Sequence, residues 1–223
     1  MKKPFVIAID GASSTGKSTL AKGLAKALGF PHVDSGAMYR GVTLYVQQHG
    51  LIENKKVKTE TLLSQLDDIH LRFEGDNFWL NGVDVSAEIR SMQVSEAVSL
   101  VAAIPQVRTF LVAQQRIMGA SQSVVMDGRD IGTVVFPKAD LKLFLTADVN
   151  TRAQRRFDEL SAQNNLTSVA EVRNNLAERD HLDSTRAESP LVQAADAIVL
   201  DATQYTVESM RDHVLDLVAE RLN

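Results

Sequence analysis

Near the start of the chain, the stretch from Asp10 to Thr19 has the residue types and spacing of a phosphate-binding loop. It reads DGASSTGKST, which fits the P-loop pattern of Gly, four residues, Gly, Lys and Ser or Thr. Glycines let backbone N–H groups turn inward toward phosphate oxygens, and the N-terminus of a following helix adds positive partial charge. The pattern indicates a nucleoside triphosphate site, with Lys17 at the β- and γ-phosphates and Ser18 at Mg²⁺. An ordinary glycine turn that caps a helix is the alternative.

Two groups of arginines stand at helical spacing in the last third of the chain. The first, Arg152, Arg155 and Arg156, occupies positions i, i+3 and i+4 of one predicted helix, so its guanidinium groups can share a face. Like charges repel unless an anion joins them, and arginine is well suited to binding the phosphates of ATP. A basic face open to solvent and partly paired with neighbouring acidic residues is the alternative.

The second group, Arg179, Asp183 and Arg186, has the spacing i, i+4 and i+7. It fits either a ligand site or an internal ladder of ion pairs. Between the P-loop and these helices, the run DGRD at residues 127–130 follows an apolar strand. Acidic residues at a strand end can hold Mg²⁺ or a base and Arg129 can hold a phosphate, and charges against a buried strand need partners.

A further arginine, Arg40, stands in the second turn of a helix predicted over residues 37–48. Ser35 is expected to cap this helix, because a serine before a helix can accept a backbone N–H hydrogen bond. An anion site and a solvated helix charge are both compatible with Arg40.

The elements that position these residues alternate between strands and helices. Apolar runs predict strands at residues 5–9, 30–33, 123–126, 141–145 and 197–200. Helical patterns begin near Lys17 and cover residues 37–48, 86–103, 105–118, 150–162, 206–222 and a segment from Val169 onward. This order predicts an α/β fold, a doubly wound parallel sheet of five strands flanked by helices, with ligands at the C-terminal strand edges.

Residues 51–90 interrupt this alternation. Short strands are predicted at 69–73, 78–80 and 83–85, with a short helix at 60–66, and Asn81-Gly82 is a strong signal for a two-residue hairpin turn. The segment therefore predicts a small antiparallel insert. Such an insert fits substrate recognition, or a surface addition without a role.

The amino-acid composition excludes some kinds of site and argues against some classes of protein. The 223 residues contain no cysteine, so disulfides and thiolate metal sites are excluded, and the five histidines show no ligand-like spacing. A formal net charge of −4 argues against a general nucleic-acid binder. The N-terminal Met-Lys-Lys-Pro leads directly into a strand, and no apolar run approaches the ~20 residues of a membrane span. We therefore expect a cytoplasmic protein without nucleic-acid or membrane partners.

Several strings resemble bacterial cytidylate kinases over nearly the whole chain. They are IAIDG with STGKST, VDSGAMYRG, DVSAEIR, VVMDGRDIGTVVFPKADLKLFL, the ERD segment and SPLVQAADAIVLD. The P-loop indicates only a superfamily, whereas DSGAMYR and DGRDIGTVVFP are distinctive of this family. One departure is Ala12, where the family usually has Pro, and it concerns loop rigidity more than any contacting atom.

The resemblance implies Mg²⁺-dependent transfer of the ATP γ-phosphoryl group to CMP or dCMP. ATP would be bound by the loop residues and by one lid arginine: Gly11, Ala12, Ser13, Ser14, Thr15, Gly16, Lys17, Ser18, Thr19 and Arg155. The catalytic residues would be Lys17, Arg129, Arg152 and Arg156, and Ser18 would hold the metal. CMP would be bound by Ser35, Arg40, Ser99, Arg108, Arg129, Asp130, Arg179, Asp183 and Arg186.

The resemblance also implies a single P-loop kinase domain over residues 1–223 and a monomer. Within it, the core would comprise residues 1–34, 105–148 and 190–223, the region that binds the nucleoside monophosphate about 35–104, and a short lid about 149–189.

Three other functions compete with this one. A related P-loop kinase for shikimate or another nucleoside monophosphate shares the loop, but DGRDIGTVVFP and the antiparallel insert favour a cytidylate kinase. A GTPase-type switch normally carries N/T-K-x-D, and the run at 54–57, NKKV, lacks the Asp. A nucleotide-binding module without catalysis would show no CMP- or dCMP-dependent release of ADP.

Overall fold

The computed structural model describes residues 3–162 and 167–222. The strands are β1 (Val6–Gly11), β2 (His32–Asp34), β3 (Ile52–Glu53), β4 (Lys56–Val57), β5 (Leu71–Glu74), β6 (Asn77–Leu80), β7 (Val83–Asp84), β8 (Val124–Gly128), β9 (Leu141–Thr146) and β10 (Ile198–Asp201). The helices are α1 (Lys17–Leu28), α2 (Ser35–Gln48), α3 (Thr59–Ser64), α4 (Met92–Ala102), α5 (Pro105–Ala120), α6 (Val149–Ala162), α7 (Val169–Thr185) and α8 (Val207–Leu222).

Two compact units make up the chain. The core unit comprises Met1–His32 and Gly119–Asn223, and the middle unit comprises Val33–Met118. The predicted division into core, monophosphate-binding region and lid stays a prediction. Residues 163–166 of the predicted lid lie outside the described residues.

Five strands form a parallel sheet, which confirms the predicted fold class. Its strand order is β10-β9-β1-β8-β2, so β1 lies at the centre, where Ile7 pairs with Val125 on one side and Leu141 on the other. Every residue of β1 is buried, as expected for a parallel strand covered on both faces. Leucines of α1 and apolar residues of α8 pack on this sheet in one core cluster.

A three-stranded antiparallel sheet, β5-β6-β7, lies in the middle unit, so the predicted insert is confirmed. Asn81 and Gly82 both have positive φ, 49° and 82°, as a type I′ turn requires. A second hairpin, β3-β4, occupies a segment that reads only as polar and turn-like in the sequence.

Two local predictions in the middle unit are wrong. Ser35 does not cap α2, because Asp34 Oδ1 accepts the N–H of Ala37 at 3.0 Å and Ser35 is the first helical residue. The helix predicted over 86–103 is not continuous either. A 3₁₀ turn at Glu88–Arg90 ends at Ser91, whose side chain accepts the N–H of Val94 and starts α4 as a new helix.

Within residues 3–162 and 167–222, no single helix has the length and apolar composition to cross a membrane. Helices α4 and α5 meet these two criteria only when they are taken together, and the angle of the bend between them is 99°.

Candidate active site

The P-loop turns sharply between β1 and α1, and two of its glycines are required by space and backbone geometry. A Cβ at Gly11 would lie 2.3 Å from the carbonyl oxygen of Leu145 on β9, a contact that no side chain tolerates. Gly16, directly before α1, has a φ of 98°, in the left-handed region that favours glycine. The loop is thus held close to β9 while its chain enters the helix.

The ammonium group of Lys17 is folded back onto this loop. Its Nζ donates to the carbonyl oxygen of Ala12 at 2.7 Å, and the hydroxyl of Thr15 donates to the same oxygen at 3.1 Å. Lys17 is buried. Ala12 accepts both hydrogen bonds through its backbone carbonyl oxygen. Since proline has the same carbonyl group, the difference between Pro and Ala at this position does not remove the acceptor.

Ser18 belongs to a partly buried polar group that joins three elements. Its Oγ donates to Asp127 Oδ2 at 2.7 Å, and His32 Nε2 lies 2.7 Å from Asp127 Oδ1. Burial would raise the pKa of Asp127, but the hydrogen bonds from His32 and Ser18 and the nearby Lys17 charge hold it below its ordinary value.

The oxygens of Ser18 and Asp127 are the hard ligands that Mg²⁺ prefers. Among the described residues no group of three or more His, Asp or Glu side chains could hold a metal ion. The pair fits a Mg²⁺ ion that takes its remaining ligands from phosphates and water, as is usual at phosphoryl-transfer sites.

Asp10, the last side chain before the loop glycine, links the P-loop to the segment that follows the DGRD run. Its two carboxylate oxygens accept the N–H groups of Ile131 and Gly132 at 2.8 and 2.7 Å. Those residues begin one π-helical turn, Ile131–Val135, a feature frequently found at functional sites. Burial raises the pKa of Asp10 to about 6.

Arg129 connects the end of β8 with both the P-loop and α7. Its NH2 donates to Ser13 Oγ at 2.7 Å and its Nε to Asp183 Oδ2 at 2.8 Å. Arg186 approaches the other oxygen of Asp183 at 3.6 Å. Burial would raise the pKa of Asp183, but Arg129 and then Arg186 and Arg179 lower it, so this carboxylate is ionised. The predicted grouping of Arg179, Asp183 and Arg186 therefore includes Arg129.

The three arginines of α6 have different surroundings. Arg152 is buried, and its NH1 donates to Asp180 Oδ2 at 2.6 Å and to the carbonyl oxygen of Ser13 at 3.2 Å. Arg155 donates to the carbonyl oxygens of Thr15 and Ala202. Arg156 forms an exposed ion pair with Glu159 at 3.0 Å. Two of the three predicted lid arginines thus contact the P-loop, and the third pairs within its own helix.

Two predicted residues of the middle unit, Arg40 and Arg108, donate hydrogen bonds within that unit. Arg40 NH1 donates to the carbonyl oxygen of Ile89 and to Ser95 Oγ, at 3.1 and 2.9 Å. The guanidinium of Arg108 is buried, donates to the carbonyl oxygen of Ala102 and lies over the ring of Tyr39. Ser35 is buried and Ser99 is half-buried.

Sequence reasoning missed the contacts of Asp10, His32 and Asp180. Each of the three lies within or beside a motif described above, but its contact is with a distant segment. Asp10 bonds to residues 131–132, His32 to Asp127 and Asp180 to Arg152. A charged or polar side chain beside a motif at a strand or helix end is the only signal the sequence offers.

The cytidylate kinase family model matches residues 7–220. The chain belongs to the cytidylate kinase family. A cytidylate kinase of Parabacteroides distasonis is 52% identical over 220 residues, 96% of each chain. Another, of Flavobacterium psychrophilum, is 51% identical over 222 residues, 97% of this chain and 98% of that protein. Membership in the cytidylate kinase family makes the chain a nucleoside monophosphate kinase that uses ATP.

A solved structure supports the fold. The crystal structure of an uncharacterized protein from Eubacterium ventriosum matches with a TM-score of 0.54 and 13% identity, over 98% of this chain and 99% of that one. At this identity the likeness shows the fold alone. Membership in the cytidylate kinase family rests on the family model and the sequence relatives.

Proposed function

We propose that the chain transfers the γ-phosphoryl group of ATP to CMP or dCMP in one direct, Mg²⁺-dependent step. The observation that carries this proposal is the meeting of Arg129 and Arg152 at Ser13, where one arginine donates to the hydroxyl and the other to the carbonyl oxygen. Two arginines from different elements thus stand at the phosphate-binding loop. A loop that only binds a nucleotide has no need of two such cations, whereas phosphoryl transfer spreads negative charge that they can stabilise.

On the ATP side, the N–H groups of the loop and the N-terminus of α1 bind the phosphates. Lys17 exchanges its hydrogen bond with Ala12 for contacts with the β- and γ-phosphates. Arg155 adds a further cation to ATP binding. Its NH1 lies 4.0 Å from the position that a Cβ atom added to Gly16 would take. The loop residues assigned to ATP are Gly11, Ala12, Ser13, Ser14, Thr15, Gly16, Lys17, Ser18 and Thr19.

Ser18 is the proposed metal ligand, and Asp127 stands beside it as the carboxylate. When bound there, Mg²⁺ neutralises charge on the β- and γ-phosphates. Asp127 accepts the hydroxyl hydrogen of Ser18, so the Ser18 oxygen keeps its lone pairs for the metal.

For the acceptor, we assign nucleoside monophosphate binding to a set of residues on the strength of the family resemblance. They are Ser35, Arg40, Ser99, Arg108, Arg129, Asp130, Arg179, Asp183 and Arg186. An ionised Asp183 only accepts hydrogen bonds, which suits the ribose hydroxyls of CMP. Arg186, already beside Asp183, is assigned to cytosine.

In the transfer, an oxygen of the CMP phosphate attacks the γ-phosphorus and the bond to the β–γ bridging oxygen breaks, so ADP leaves. Lys17, Arg129, Arg152 and Arg156 stabilise the charge on the transferred group. A general base is unnecessary, because the second pKa of a phosphate monoester is about 6 and the acceptor is largely ionised near neutral pH.

Measurement of ADP release from MgATP with CMP, dCMP, UMP, AMP and shikimate as acceptors tests this function. We expect release with CMP and dCMP far above the rate without an acceptor. ADP release that no monophosphate stimulates would contradict phosphoryl transfer and favour a binding module. The predicted monomeric state and cytoplasmic location stay predictions.

A further inference from the structure

One half-buried side chain beside the proposed metal site has no part in the mechanism above. His32, at the start of β2, lies 2.7 Å from Asp127 Oδ1 through its Nε2. Its side chain is 14% exposed and that of Asp127 is 3% exposed, so little water competes for this contact. The strands β2 and β8 that carry the two residues are neighbours in the parallel sheet.

The chemistry of the Asp127 carboxylate fixes the direction of its hydrogen bonds with His32 and Ser18. An ionised carboxylate only accepts hydrogen bonds, so Nε2 of His32 carries the hydrogen in this contact, and Ser18 Oγ donates its own hydrogen to Oδ2. Oδ1 of Asp127 thus receives a hydrogen bond from His32, and Oδ2 receives one from Ser18. Together the two donors fix the plane of the carboxylate, and this plane sets where the hydroxyl hydrogen of Ser18 points.

A hydroxyl group binds a cation through its lone pairs. While the Ser18 hydrogen is directed at Asp127, the lone pairs face away from the carboxylate and are available to a metal ion. If the donor at position 32 were lost, Asp127 Oδ1 would be buried without this hydrogen bond, and the carboxylate could turn to take the Ser18 hydrogen differently or to find water.

We propose that His32 is a positioning residue for the magnesium site, acting through Asp127 on the hydroxyl of Ser18. The inference rests on the proposed role of Ser18 and Asp127 in holding Mg²⁺. Partners that orient metal ligands in this way typically contribute 10- to 100-fold to metal affinity or activity.

The test compares two amides that differ in reach. His32→Gln places an amide N–H close to the position of Nε2, whereas His32→Asn has the same chemistry on a side chain one methylene shorter. A fluorescent N-methylanthraniloyl derivative of ATP is titrated with MgCl₂, and its binding is also measured in EDTA. We expect His32→Asn to raise the half-saturating Mg²⁺ concentration about 10-fold, and His32→Gln to stay within about 2-fold of the wild type. Binding in EDTA should be unchanged in both.

Three controls separate this inference from the proposed function. Asp127→Asn should raise the half-saturating Mg²⁺ concentration, and His49→Asn, which alters an exposed histidine bonded to the carbonyl oxygen of Tyr45, should not. The wild type must itself show Mg²⁺-dependent binding. If it does not, the proposed metal role fails and the inference fails with it.

Two results would overturn the role of His32 alone. One is an unchanged Mg²⁺ requirement in His32→Asn while Asp127→Asn shifts it. The other is an equal shift of the half-saturating Mg²⁺ concentration in His32→Asn and His32→Gln. In that case the N–H donor retained in His32→Gln would have had no effect on metal binding. Circular dichroism checks the fold of each variant. If His32→Asn does not fold, His32→Thr replaces it, since Thr is favourable in strands and too short to reach Asp127.

Discussion

At the scale of single residues, the proposed site combines groups assigned to phosphate binding with groups that hold them in place. Lys17 and Arg129 belong to the first kind, and both already have acceptors at the loop, Ala12 O and Ser13 Oγ. Asp10 belongs to the second kind, because its carboxylate ties the end of β1 to the π-helical turn after Asp130. A shift at Asp10 would therefore move the P-loop and the π-helical turn together.

The stability contribution of Asp10 should depend on pH. Its pKa is raised from 3.8 to about 6, with burial as the largest cause, so between these values the folded state binds more protons there than the unfolded state. The free energy of unfolding contributed by Asp10 is thus greatest below the unfolded pKa and declines as the pH rises through 6. Against Asp10→Asn, which does not titrate, the wild type should lose about 1 kcal/mol between about pH 5 and pH 7.

Urea unfolding of the wild type and Asp10→Asn at several pH values measures this difference. A relative gain in wild-type stability over the same interval would contradict the prediction. It would mean that the two backbone N–H donors outweigh burial and hold the pKa of Asp10 low.

At the scale of elements, α6 and α7 are joined by an apolar cluster and by one partly buried ion pair. Ala153 and Leu160 of α6 pack with Val172 and Leu176 of α7. The ion pair joins Arg152 to Asp180, and Arg152 also reaches the carbonyl oxygen of Ser13. The position of α6 relative to the P-loop, both within the core unit, is therefore set partly by a residue of α7.

Removing the carboxylate of Asp180 should weaken this arrangement. Asp180→Asn leaves the buried guanidinium of Arg152 without its counter-charge, and we expect the free energy of unfolding to fall by about 1–3 kcal/mol. Turnover should fall as well, since Arg152 loses its alignment. Chemical denaturation and steady-state kinetics of the same preparation measure the two effects.

A matched control is available on the same helix. Glu159→Gln removes the exposed partner of Arg156, and it should change the free energy of unfolding by less than about 0.5 kcal/mol. Equal effects of Asp180→Asn and Glu159→Gln on stability would show that the Arg152–Asp180 pair stabilises the fold no more than the exposed pair.

At the scale of the whole molecule, the sequence predicted what depends on local pattern. The five parallel strands, the antiparallel insert and the Asn81-Gly82 turn all follow from apolar periodicity and turn chemistry. The break of the predicted helix at Ser91 and the cap at Asp34 were missed, because each depends on which of several nearby side chains captures a backbone N–H. The His32–Asp127 contact was also missed, since it joins residues 95 positions apart that only the sheet order brings together.

Binding of nucleotide should stabilise the whole fold. A ligand at 100 times its Kd adds about 2.7 kcal/mol to the free energy of unfolding, which corresponds to a rise in Tm of about 5–10 °C for a chain of this length. We expect MgATP to give such a rise in the wild type and to keep most of it in Lys17→Ala. Turnover of Lys17→Ala should fall about 100-fold, because the lysine acts mainly on charge that develops during transfer. Near-normal turnover of that variant would show that Lys17 is not catalytic.

The contact between the P-loop and β9 limits how this sequence can vary. The carbonyl oxygen of Leu145 occupies the space in which any side chain at position 11 would begin. Selection for folding alone, with no demand for activity, should therefore retain glycine there. Position 12, which gives only its backbone carbonyl to Lys17 and Thr15, has no such restriction. Of these two adjacent positions in one motif, the first is therefore restricted to glycine by the neighbouring strand, whereas the second can differ between relatives.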